Sequence, residues 1–62
     1  MKTMRYEFID PDDDVLKLGL NYSFEYPSII LYAGEGVRMT IEDTEKLIEE
    51  LQKLINEVKE QQ

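Results

Sequence analysis

The chain contains no cysteine, no histidine and no tryptophan, and it has only two prolines and three glycines in 62 residues. Each absence closes a route. Without Cys there is no disulfide scaffold, and without Cys or His the thiolate and imidazole ligands of ordinary zinc sites are missing, so only oxygen-ligated ions remain as metal chemistry. The same lack removes the usual nucleophile and general-base pairings of catalysis. Carboxylate pairs alone can act on glycosides, but a chain this short does not enclose a substrate cleft. The sequence therefore predicts a protein that is not an enzyme, with no cofactor and no metal. No run approaches the roughly 18 apolar residues of a membrane span, and the opening "MKTMRYEF" lacks an apolar signal-peptide core. With no Cys to suggest an oxidising compartment, the expected location is cytoplasmic, away from membranes.

Positive charge is also scarce. Seven Lys and Arg stand against fourteen Asp and Glu, a net charge of −7. The excess is spread along the chain, with seven acidic against four basic residues in 1–40 and seven against three in 41–62. A field of this sign repels phosphate backbones and anionic lipid surfaces and attracts basic protein surfaces. Residues 1–62 read as one small domain, near the lower limit of size at which a chain buries enough surface to fold alone. With disulfides and zinc excluded, self-association is the expected supplement, and a homodimer is the predicted state.

Apolar periodicity supplies the elements. "MRYEFI" (4–9) alternates Met4, Tyr6 and Phe8 against Arg5, Glu7 and Ile9, as a strand does. "VLKLGLNYSFEY" (15–26) carries Leu16, Leu18, Leu20, Tyr22, Phe24 and Tyr26 at a spacing of two, predicting a second strand. Its length, about twice that of a common strand, predicts a bend or bulge near Gly19. Pro27 marks a reversal, and "SIILYA" (28–33) and "VRMT" (37–40) read as a third and fourth strand joined by "GEG". From Ile41 onward, Ile41, Leu47, Ile48, Leu51, Leu54, Ile55 and Val58 recur at three and four, predicting a helix of about twenty residues. Thr40 is its natural N-cap, with Asp43 in the position of a capping-box acid. The predicted fold is α+β: an antiparallel four-stranded β-meander followed by one C-terminal α-helix packed on one sheet face (β-β-β-β-α).

Candidate functional residues fall into three groups. Asp10, Asp12 and Asp14 give the first half of a calcium-loop pattern, but the positions that must turn sharply and supply a bidentate Glu are Val15 and Asn21. Pro11 instead suits a hairpin turn opened by Asp10. The carboxylates then serve as contacts for a basic partner, and Asp12, Asp13, Asp14, Glu35, Glu45 and Glu49 are the predicted partner-binding set. A second group, Arg5, Lys17, Tyr32 and Arg38, falls on or beside the outer sheet face, where stacking and phosphate contact could hold single-stranded nucleic acid. The β4-then-α order resembles, as topology alone, the dimeric single-strand-binding domain of the transcriptional positive cofactor family. No binding motif matches residue by residue, and the charge has the opposite sign. The third group, Ile48, Leu51, Ile55 and Val58, belongs to an apolar helix stripe wide enough to pair with a second copy.

The favoured expectation is a non-catalytic acidic interaction protein, homodimeric, that occupies a basic site on a partner protein. It would be an inhibitor or nucleic-acid mimic, of the kind phages encode against bacterial defence systems. A single-strand nucleic-acid-binding dimer is the alternative, and a structural oligomeric component or a designed domain the second alternative. Affinity for a basic partner would fall steeply with salt in the favoured case.

Overall fold

Leu16, Leu18 and Leu20 alternate on one face of the central strand and form the buried centre of the protein. In the computed structural model, which describes residues 2–22 and 27–61, three strands, β1 (Lys2–Ile9), β2 (Val15–Asn21) and β3 (Ser28–Ala33), precede one helix, α1 (Ile41–Glu60). The sheet order is β1-β2-β3, with both pairings antiparallel. Leu18 and Leu20 are fully buried, and Leu16 and Leu54 nearly so. Tyr6, Phe8, Tyr22, Val37, Met39, Leu47, Leu51 and Val58 close around them. The fold is therefore α+β with a helix on one sheet face, as the periodicity implied.

Among the described residues, three strands form where four were expected. Val37–Thr40 shows strand alternation, with Val37 and Met39 half-buried against the core and Arg38 and Thr40 exposed. It joins no ladder, because the Arg38 N–H is donated to the Asp10 carboxylate. Core-facing alternation, which a strand and an extended connector share, produced the fourth strand in the sequence reading. The β4α resemblance goes with it. Strand 2 is shorter than its periodicity suggested, ending at Asn21; Phe24 and Tyr26 lie outside the described residues.

The expected irregularity near Gly19 lies across the ladder from it. Met4 pairs with Gly19 and Tyr6 with Leu18, so two steps along β1 answer one along β2, and Arg5 is the extra, bulged residue. The bulge reverses the side-chain phase. Tyr6 and Phe8 face the core, as their pairing with Leu18 and Leu16 requires, while Met4 turns to the outer face rather than sharing theirs. Gly19 is required by this close approach: a Cβ there would stand 2.6 Å from the Thr3 carbonyl oxygen.

Helix α1 begins as its sequence dictates. The Thr40 hydroxyl accepts the Asp43 N–H at 3.0 Å, and Asp43 accepts the Thr40 N–H at 3.1 Å, a complete capping box. Its apolar stripe buries Leu54 and packs Leu47, Leu51 and Val58 over β2 and β3. Arg5 reaches from the bulge to Glu57 at 2.7 Å, tying β1 to the far half of the helix.

Candidate acidic interaction site

The β1–β2 connection is organised by one side chain. Asp10 is only 3% exposed, and its Oδ1 accepts the N–H groups of Asp12 at 2.8 Å and Asp14 at 2.9 Å. Its Oδ2 accepts the N–H of Arg38 at 2.8 Å. Two main-chain bonds, Asp10 N–H to Asp14 and Asp13 N–H to Asp10, close the turn. Asp13 takes the left-handed conformation, φ 65°, which Asp tolerates better than most residues. The Arg38 amide, with those of Asp14 and Asp12, holds the Asp10 carboxyl below the usual Asp range, against the opposing effect of burial.

The Asp10, Asp12 and Asp14 carboxylates have oxygens within 4.8 Å of one another. Three amides converge on Asp10, and Asp12 Oδ2 is bonded to Arg38 Nε at 2.8 Å. The alternate spacing thus serves an Asx-type turn, which Asp10 braces from within while Asp12 and Asp13 stand exposed.

This turn lies at the same end of the molecule as the exit from β3 and the start of the helix. Ala33 pairs with Leu16, so Gly34 and the exposed Glu35 leave the sheet beside the turn. A shallow recess of about 340 Å³ is shared by Pro11, Arg38, Met39, Thr40 and Asp43. Asp12, Asp13, Asp14 and Glu35 are therefore gathered at one pole together with Glu42 and Asp43 of the first helical turn, and Arg38 is in ion contact with Asp12 there. Glu45 and Glu49 are exposed but lie further along the helix, where Glu49 shares Lys46 with Glu50. Lys53, then Lys46, hold the Glu50 carboxyl below its ordinary range, against desolvation.

Three contributors, Asp10, Glu42 and Asp43, take a part that the sequence alone does not reveal. Asp10 is expected to open the hairpin turn, and its buried bracing role depends on the distant amide of Arg38. Asp43 is expected only as the capping-box acid at the helix start, and only the topology brings it and Glu42 to the turn.

The basic group is dispersed. Lys17 stands 3.6 Å from Glu7 on the outer face, Arg5 is bonded to Glu57, and Arg38 lies in the connector beside Asp12 rather than on the sheet. Tyr32 is on the outer face, where Lys2 donates to its hydroxyl at 2.9 Å. Met4, Val15, Lys17, Tyr32 and Ala33 line an open hollow of about 380 Å³ there. Of the helix residues, Leu51 and Val58 are committed to the core, Ile55 is half-buried and Ile48 is 60% exposed.

Among the described residues, no helix is long and apolar enough to cross a membrane. Comparison with family models, curated proteins and solved structures gives no match.

Proposed function

We propose that this chain is a non-catalytic acidic interaction protein which, as a homodimer, occupies a basic site on a partner protein, in the manner of an inhibitor or nucleic-acid mimic. One observation carries the proposal: Asp10 braces the main chain of the turn that presents Asp12, Asp13 and Asp14 beside Glu35, Glu42 and Asp43. A turn main chain fixed in this way needs little reordering on meeting Lys or Arg side chains, and the field of the pole, only partly offset by Arg38 on Asp12, steers a basic surface towards it. By contrast, the cations Arg5, Lys17 and Arg38 each face a carboxylate, which weakens the case for a nucleic-acid surface.

The test is a pull-down with the wild-type chain and with an Asp12→Lys, Asp13→Lys, Asp14→Lys variant as baits, followed by affinity measurement on the captured protein across salt. Capture is expected to be lost in the variant, and wild-type affinity to fall steeply with salt. Equal capture by the variant would overturn the assignment to this pole. Retention of a single-stranded oligonucleotide at low salt would favour the outer sheet face instead.

A further inference from the structure

We infer that two copies pair through the edge of β3 into one continuous six-stranded sheet, with their helices side by side and antiparallel on the same face. The inference rests on the self-association expected above and specifies its surface. The two edges of the sheet differ. β1 is interrupted by the Arg5 bulge and carries Lys2, Arg5 and Glu7, features that discourage edge pairing. β3, "SIILYA", is regular in its pairing with β2, has no charged residue and no proline, and has no strand beyond it among the described residues.

The helix flank above β3 is apolar as well. Because Glu57 grips Arg5 on β1, the helix flank carrying Glu50 and Glu57 faces β1, and the opposite flank with Ile41, Ile48 and Ile55 faces β3. Ile41 is 82% and Ile48 60% exposed. Beneath them, Ile29 and Leu31 pair with the buried Leu20 and Leu18 and so face the helix side, yet they remain 37% and 51% exposed. Strand edge, strand side chains and helix row form one uncovered strip.

Geometry and charge make a second copy its occupant. A two-fold axis beside β3 and normal to the sheet reverses every in-plane direction, so the helices are antiparallel whatever their tilt to the strands. With strands about 4.8 Å apart, a helix seated over β2 and β3 stands about 5 Å from that axis, placing its mate about 10 Å away, the upper end of ordinary helix packing. The antiparallel register that sets Ile48 against Ile55 of the second copy also brings Glu45 opposite Lys59 of that copy. The acidic poles, at the starts of the two helices, fall at opposite ends of the dimer. A chain of net charge −7 can thus pair with itself without apposing its like charges. The pairing also covers apolar surface on a molecule whose fully buried core is small.

The experiment measures solution mass by light scattering across concentration for wild type, Leu31→Lys and Ile48→Lys. Wild type is expected at twice the chain mass, with each variant's dissociation constant raised roughly tenfold or more by a charge placed in an apolar contact. A wild type that remains monomeric would overturn self-association itself. A dimer unaffected by both substitutions would leave self-association standing and overturn the β3 surface. Should the variants unfold, crosslinking decides. Gln52→Cys, near the two-fold axis in an otherwise cysteine-free chain, is expected to link two copies through a short bis-maleimide, whereas Lys53→Cys on the β1 flank is not. The reverse pattern would overturn the proposal.

Discussion

Asp10 and Arg38, twenty-eight residues apart in sequence, are joined by a 2.8 Å bond from the Arg38 N–H to a carboxylate that is itself almost entirely buried. This one contact fastens the β1–β2 turn to the connector that leads into the helix. Asp10→Ala is expected to lower the thermal midpoint more than Asp12→Ala, because it strands three amides where Asp12→Ala removes one exposed ion pair with Arg38. Asp10→Asn, which keeps an acceptor, falls between. Circular dichroism melts check the order, and an Asp10→Ala midpoint equal to that of wild type would refute it.

Acid should act through the same residue. The folded Asp10 pKa lies below its unfolded value, so as pH falls the unfolded chain takes up the proton first. The stability Asp10 contributes is full above about pH 4, the unfolded Asp range, and is lost as pH falls through the lower folded pKa. Glu50, also depressed, acts in the same direction. Urea melts between pH 6 and 2 are expected to show a decline below about pH 4 that is smaller in Asp10→Asn.

Gly19→Ala tests the close approach of β1. The new Cβ would meet the Thr3 carbonyl oxygen at 2.6 Å, a main-chain atom that cannot swing aside. The expected cost is about 1–3 kcal/mol, as for overpacking elsewhere, read from the denaturant midpoint. An unchanged midpoint would mean that the bulge can relax.

Leu18→Ala, at the centre of the core, should cost about 2–5 kcal/mol. Ile41→Ala, on the exposed first turn, should stay within about 0.5 kcal/mol in dilute solution. The contrast separates the stripe residues that hold the fold from those that do not.

Thr40→Ala removes one half of the capping box and should cost about 0.5–2 kcal/mol. Thr40→Ser, retaining the hydroxyl, is expected to restore nearly all of it in the same melt.

How far the sequence could be read depended on the range of the forces involved. Helix α1 was legible from its cap to its last turn, since capping box, stripe and charge order are all local. The alternation in β2 and β3, and in β1 from Tyr6 onward, also survived. Two features did not. Val37–Thr40 has the periodicity of a strand but lacks a ladder, because its amide goes to Asp10, a partner no local pattern reveals. The Arg5 bulge, which carries Met4 to the outer face, arises from register against Gly19. The acidic pole was half visible: Asp12, Asp13, Asp14 and Glu35 stood out by charge, whereas Glu42 and Asp43 joined them only through the topology.

The Asp10 bond has a further consequence for the order in which the molecule assembles. The β1–β2 hairpin and the capped helix are each specified by contacts close in sequence, whereas the Asp10–Arg38 link must span the whole of β2 and β3 before it forms. Local contacts form faster than distant ones, so the two pieces would take shape early and be latched together late. The Arg38 amide is then a reporter: its hydrogen exchange should slow only when the latch closes, later in refolding than that of the Leu54 amide inside the helix.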